Sequence, residues 1–375
     1  MASYIEDRYT QGLPVDLTGL VHWDRLTLSM QIAPDGMSGH VVQGRRFSSI
    51  SIEGAEFPRG VDFGNCVFTK SFWARKARFG DAADFGRSAF QGATRFTLAR
   101  FEGDANYPAC EFSQLADFSG ARFGANVVFD ACKFVECLNF SLHSLESVIE
   151  ENSESGSLHR AIFTRCGFLK KSIFNDRVFL SGPDFSFSNF EVAPEFHNCE
   201  LHQSANFEGT NFSDERSEGA DRSYRTLKLA FEKMGARDEQ AKFFALEQKA
   251  RAKKASTPLS VRAFSEIYGT VSDYGQNFVV PLVFLVVLII LFAALYMLII
   301  PSAMTDGPQS LVGLLSFSVE QMVRPFIIWS DSYKGINRES ALALVLRLLA
   351  TLEAFGGLGL ATISLLALRR RFKLD

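Results

Sequence analysis

The chain has 375 residues and a net charge of −3, with 39 Lys and Arg against 42 Asp and Glu. So even a balance provides no field to draw in a phosphate backbone, and nucleic acid is not an expected partner. One feature is out of proportion: 37 Phe stand beside 8 Tyr and 3 Trp, which predicts one structural slot filled again and again.

Residues Met1-Ala-Ser-Tyr-Ile-Glu-Asp-Arg8 contain no apolar h-region, so no signal peptide is expected. Residues 1–46 are read as an N-terminal cap region. The N-terminal part is expected to stay in the cytosol, where the 6 Cys remain free thiols.

From Phe57 the chain becomes periodic. Phe57, Phe68, Phe79, Phe90, Phe101, Phe112, Phe123 and Phe134 are each 11 residues apart, with Leu145 in the next slot. A second series interleaves: Phe63, Ala74, Phe85, Phe96, Tyr107, Phe118, Phe129 and Phe140. Steps of six and five therefore alternate. The polar stretch Glu150-Glu-Asn-Ser-Glu-Ser-Gly-Ser157 reads as an extruded loop, after which the period resumes with one residue of slippage from Phe163 to Phe212. Two residues before most slots stands a small side chain: Ala55, Cys66, Ala77, Ser88, Ala99, Cys110, Ala121 and Cys132 before the first series. Residues two apart share a face of an extended chain, so each unit points a Phe and a small residue inward and then turns. An 11-residue period also fits a right-handed helical supercoil. Phe residues five or six apart do not share a helix face, however, and frequent Gly and β-branched residues disfavour helix.

Segments such as Ala116-Asp-Phe-Ser-Gly120, Ala121-Arg-Phe-Gly-Ala125 and Ala205-Asn-Phe-Glu-Gly209 resemble pentapeptide-repeat proteins. The resemblance covers residues 47–212 and implies a mainly β fold, a right-handed quadrilateral β-helix with four short faces per coil. The chain departs from that pattern by an extra residue in alternate units. The spacing then predicts about 22 residues per coil and about seven coils.

The repeat lattice also disposes of several candidate sites. Cys66, Cys110, Cys132, Cys166 and Cys199 fall on the inward small position and are expected to be buried small hydrophobes; Cys137 is off the pattern. His197 and His202 follow inward slots and point outward from different faces while Cys199 points inward, so no zinc site is expected. Some pentapeptide-repeat proteins mimic DNA through an acidic surface. From Arg45 to Phe212 there are 17 Lys and Arg against 21 Asp and Glu, too slight an excess for a phosphate imitation. No phosphate loop, nucleophile elbow or paired-His motif is present, so neither catalysis nor a cofactor is expected.

Residues 213–257 are read as an α-helical hairpin linker. Leu227, Ala230, Phe231 and Met234 recur at helical spacing, Gly235-Ala-Arg-Asp238 turns, and a second helix carries Phe244 and Ala245 toward a basic end at Lys253 and Lys254. Its apolar face is expected to cap the open end of the β-helix or to pair between subunits. The basic end suits an anionic membrane surface.

Residues 258–375 are read as a membrane module with two spans. Phe278 to Ile300 holds 23 residues without a charge, and Ala341 to Leu368 is a second span interrupted by Arg347 and Glu353. Basic residues flank the outer ends of the pair, including Lys253, Lys254, Arg369, Arg370 and Arg371, so the positive-inside rule puts both termini in the cytoplasm. Between the spans, Leu311 to Val319 is apolar but too short to cross, and Phe326-Ile-Ile-Trp329 is apolar again, which predicts a re-entrant or interfacial element. With Tyr268-Gly-Thr-Val-Ser-Asp-Tyr-Gly275, the C-terminal part resembles the two-transmembrane ion-channel-like module of some bacterial pentapeptide-repeat proteins, over about residues 222–375. The resemblance implies a homo-oligomer in the bacterial inner membrane. The chain lacks a Thr-Val-Gly-Tyr-Gly filter, so potassium selectivity is not implied.

In a pore, Glu353 and Glu320 are the candidates for a cation-attracting ring. Glu353 can equally sit in a wet interface or pair with Arg347 of a neighbouring helix. Gly356, Gly357 and Gly359 permit close helix packing or a bend, of which packing is the expected role. The leading expectation is an oligomeric channel-like protein with a cytoplasmic β-helix as sensor or assembly domain. The alternative is a non-conducting, membrane-tethered scaffold whose β-helix binds a protein partner.

Overall fold

The computed structural model describes residues 1–28, 44–142, 157–303, 310–323 and 341–372. The Leu145 slot, most of the Glu150–Ser157 stretch and the apolar Phe326–Trp329 segment lie outside the described residues. The chain divides into two compact units, residues 1–254 and 255–375.

The first unit is a β-solenoid of about seven turns. Its strands are two or three residues long and every pairing is parallel. One ladder runs through Ile50–Ser51, Phe72–Trp73, Thr94–Arg95, Ala116–Asp117 and Leu138–Asn139, a step of 22 residues. Ladders through Val61–Asp62, through Cys66–Phe68 and through Glu56–Phe57 repeat at the same step. The chain therefore visits four ladders in each turn before returning to the first. The solenoid begins earlier than the Phe period: Val15–Asp16 pairs with Ile50–Ser51 and Leu26–Thr27 with Val61–Asp62. Those first inward slots hold Val15, Leu17, Leu26 and Leu28, so a search for Phe passes over them.

Parallel stacking at one strand spacing puts like residues on like residues. Phe68, Phe90, Phe112, Phe134 and Phe168 form a column with ring centroids 4.8–5.1 Å apart and nearly parallel planes. Neighbouring columns meet edge to face, as Phe85 meets Phe96 at 5.3 Å and 83°. Both geometries suit the aromatic quadrupole.

Two residues after Ile52 and after the second-series slots from Phe63 to Phe129 the backbone turns through positive φ, at Gly54, Asn65, Lys76, Arg87, Leu98, Ala109, Gly120 and Ala131. Most of these are not glycine. Ladder hydrogen bonds hold them there: Lys76 N–H donates to Thr97 O at 2.9 Å and Arg87 N–H to Pro108 O at 2.7 Å. At Gly120 a Cβ would stand 2.6 Å from Leu98 Cδ2, so a side chain there would require the Leu98 side chain to move.

The small inward positions do more than make room. Ser88 Oγ donates to Phe63 O (2.7 Å), Cys110 Sγ to Phe85 O (3.0 Å), Cys132 Sγ to Tyr107 O (2.7 Å), Cys166 Sγ to Phe129 O (2.8 Å) and Thr210 Oγ1 to Phe185 O (2.7 Å). A thiol or hydroxyl thus donates to a corner carbonyl of the turn before; at Phe85 O and Phe185 O it joins a backbone donor, Ser88 N–H and Ser188 N–H. Burial pushes the Cys66 thiol up to about 12 and that of Cys199 to about 11, so both stay protonated donors at neutral pH.

Arg177 breaks the small-residue rule. It stands two before Phe179, where Ala77, Ala99 and Ala121 stand in earlier turns, and its side chain is fully buried. Its Nε donates to Phe140 O (2.7 Å), Nη1 to Ala121 O (2.8 Å), and Nη2 to Ser141 O (3.2 Å) and Phe118 O (3.3 Å). The guanidinium lies 4.7 Å from the centre of the Phe140 ring. The ladder that ends at Arg122–Phe123 does not continue in register to Ser157–Leu158, and Arg177 supplies donors at that interruption. Burial lowers its pKa to about 9, which leaves it cationic at neutral pH.

Both ends of the solenoid are covered. Helix α1 (Ala2–Thr10) buries Ile5 and sets Tyr9 5.2 Å from Phe47, with Glu6 paired to Arg45 at 3.2 Å. Helices α2 (Ala220–Met234) and α3 (Arg237–Lys253) form the hairpin on the last turn. Phe243 meets Phe207 and Phe212 edge on, Phe231 meets Phe207, and Lys242 Nζ donates to Thr210 O at 3.0 Å. Of the two roles expected for the hairpin face, capping is the one observed here.

The second unit consists of α4 (Leu259–Ser272), α5 (Val279–Ala303), α6 (Leu311–Val323) and α7 (Ala341–Phe372). Within them, Val279–Ile300 and Leu344–Arg369 are long and apolar enough to cross a membrane. At roughly 1.5 Å per residue, α6 spans only about 20 Å. Phe292, Tyr296 and Ile300 form the inner face of α5, Leu314 and Phe317 that of α6, and Leu346 joins them from α7.

Candidate functional site

The inner faces of α5, α6 and α7 follow helical spacing. Phe292, Tyr296 and Ile300 recur every fourth residue, and Leu346, Ala350, Glu353 and Ala354 line α7. Glu353 is therefore placed in the middle of the bundle and is completely buried. Its Oε2 accepts from Tyr296 Oη at 2.6 Å and its Oε1 from Ser318 Oγ. One carboxyl thus ties all three helices together.

Charge-assisted O–H bonds of this length are among the stronger ones, and they offset part of the cost of enclosing a carboxylate in an apolar bundle. Ser318 has a single hydroxyl proton and a second acceptor, Ile289 O at 3.2 Å. Two arrangements follow. With Glu353 ionised, Ser318 donates to the carboxylate. With Glu353 protonated, the carboxyl donates to Ser318, which is then free to donate to Ile289 O. The cluster can take up or release a proton without leaving any of these oxygens unpaired.

Close helix approach supports the cluster. A Cβ on Gly357 would stand 2.2 Å from Met322 Cγ of α6, and one on Gly356 would touch Leu288 of α5. Gly359 has nothing within 4 Å of the corresponding position. Glu320 does not join Glu353: two residues past Ser318 on α6, it is exposed on the other side of that helix.

The basic residues are distributed differently from a simple charged collar. Lys253 pairs with Glu215, and Lys254 pairs with Asp221 at 2.7 Å, so part of their charge is compensated within the first unit. Arg369 is exposed in the last turn of α7. Arg370 and Arg371 belong to the same turn, but their side chains lie outside the described residues. Around His197, the Cys199 thiol donates to Phe174 O at 3.0 Å and His202 Nδ1 meets Ser204 Oγ at 2.7 Å. Among the described residues no three His, Cys, Asp or Glu are grouped to hold a metal ion.

The sequence reading singled out Glu353 without its partners. Tyr296, a lone hydroxyl in a hydrocarbon run, and Ser318, a polar residue in an apolar helix, were the signals available for them. Comparison with protein families, curated proteins and solved structures finds no match to the chain.

Proposed function

We propose that the protein is an oligomeric, ion-channel-like membrane protein whose β-solenoid is a cytoplasmic sensor or assembly domain. The observation that carries this reading is the buried Glu353–Tyr296–Ser318 cluster between two long apolar helices and a short one. A carboxyl within a membrane bundle marks an ion or proton path more often than a structural site. In this reading the solenoid is a right-handed quadrilateral β-helix of the pentapeptide-repeat type. The Phe columns and the four strands per turn support it. Arg369, with Arg370 and Arg371 beside it in the sequence, and the basic run before α5 support cytoplasmic termini in a bacterial inner membrane.

The second reading is a non-conducting, membrane-tethered scaffold. It is favoured by the enclosure of Glu353 inside a single copy, where both carboxyl oxygens are already satisfied. Single-channel recording in planar bilayers, on wild type and Glu353→Gln, separates the two. Channel function predicts discrete steps in wild type and smaller or less cation-selective steps in the variant. Silent bilayers from folded, inserted protein would favour the scaffold.

A further inference from the structure

Helix α4 is amphipathic in the opposite sense to a helix on a water-soluble protein. At 100° per residue, Val261, Phe264, Ile267, Tyr268 and Val271 share one face, and Arg262, Ser265, Glu266 and Gly269 fall on the other. A helix on a soluble domain turns its apolar face to the core. Here Ser265, Gly269 and Ser272 are the packed positions, while Glu266 is exposed. Ser265 Oγ meets Tyr274 Oη at 3.2 Å, a Cβ on Gly269 would stand 2.9 Å from the Tyr274 ring, and Ser272 is fully buried. The apolar side faces out: Phe264 is 71% exposed, Ile267 60% and Val261 49%.

We propose that α4 lies in the plane of the membrane interface, with Phe264, Ile267 and Val261 in the acyl chains; the inference rests on α5 spanning the bilayer. Chain continuity identifies lipid as the occupant of this face. Only residues 273–278 separate α4 from α5, so the start of the span holds α4 near the headgroups. The helix is roughly 21 Å long, too short to cross a hydrocarbon core of about 30 Å. Asp273 and Tyr274, both at positive φ, end α4 before the chain enters α5.

Depth-dependent quenching tests the assignment. Full-length protein, with Trp23, Trp73 and Trp329 replaced by Phe, would be reconstituted in vesicles containing lipids brominated near the headgroup or near the bilayer centre. Single reporters would be Phe264→Trp and Ile267→Trp on the apolar face, Glu266→Trp on the opposite face and Ile290→Trp within α5. The expected result is that the two apolar-face reporters lose most of their emission with shallow bromines, Glu266→Trp loses little, and Ile290→Trp responds to the deep bromines. Strong quenching of Ile290→Trp with none at Phe264→Trp or Ile267→Trp would overturn the assignment while leaving the span intact, and would hand the face to a second copy of the chain. Deep quenching at Phe264→Trp would overturn it in favour of an embedded helix. No quenching at Ile290→Trp would remove the membrane reading itself.

Discussion

The solenoid and the helical unit turn opposite chemistry outward. In the solenoid, Phe columns fill the interior and charged residues such as Arg78, Arg95 and Glu111 stand outside. In the helical unit, Val283, Val287, Leu298, Leu352 and Phe355 point out, while Glu353, Ser318 and Ser364 are buried. Each unit nevertheless encloses a charged or ionisable group, and each solves that problem with local donors or acceptors. Arg177 spends its N–H groups on carbonyls left at an interrupted ladder; Glu353 receives hydroxyl protons from neighbouring helices. The difference teaches that inside and outside are defined by the solvent. A strand corner buried away from water must pair its carbonyls within the protein, whereas helices already pair theirs and can present bare hydrocarbon.

The comparison is tested most severely by truncating one aromatic in each unit. Phe112→Ala removes a ring stacked 4.8 Å from Phe90 and 5.0 Å from Phe134. It should cost about 3–5 kcal/mol in denaturant unfolding followed through the solenoid signal. Phe264→Ala, on an exposed face, should change the same transition by no more than about 0.5 kcal/mol. Equal losses would erase the distinction.

Next in size is Arg177→Met, which keeps much of the apolar stem but takes the donor from Phe140 O and Ala121 O. A loss of about 3 kcal/mol is expected in the same unfolding measurement. An unchanged midpoint would mean that water already reaches the interruption.

A smaller effect is expected in alkali. Burial raises the Cys66 thiol from 9.0 to about 12, so the unfolded thiol ionises first while the native one keeps its proton. The stability contributed is whole below pH 9.0 and is lost as pH rises toward about 12. Arg177 works in the other direction over part of that window, because its native form gives up a proton at about 9 and its unfolded form only at a much higher pH. The difference between wild type and Cys66→Ala isolates the thiol. It should decline by up to about 1.4 kcal/mol per pH unit. Parallel pH profiles for the two proteins would refute the buried-donor role.

The smallest expected effect concerns Tyr107, which fills a Phe slot between Phe85 and Phe129 and whose buried hydroxyl has no hydrogen-bond partner among the described residues. Tyr107→Phe should be neutral or stabilising by about 1 kcal/mol, seen as a higher thermal midpoint. A clear loss would reveal an ordered water on the hydroxyl.

Much of the solenoid was legible because its rule is local. A Phe and a small residue two apart must face the same way, and units that cannot bury that face alone must stack. The same rule located Cys66, Cys110, Cys132 and Cys166 inside. It could not reveal that their thiols serve as donors, since the acceptor carbonyls come from the preceding turn, 25 residues back in the case of Cys110. The positive-φ corners were equally hidden, because Lys76, Arg87 and Leu98 carry no sign of that conformation and are held in it by neighbouring turns. Glu353 was conspicuous as a charge in a hydrocarbon run, but its side of α7 was not.

By itself, then, the amino-acid order determined the period, the 22-residue coil, the inward residues and the existence of long apolar helices, all of which depend on spacing along the chain. Tertiary structure alone decided where a buried polar atom finds its partner. The oxygens around Arg177 lie 36 to 59 residues away, and Tyr296 lies 57 residues from Glu353. Pairings at that separation are made by stacking and helix packing, and no local spacing encodes them.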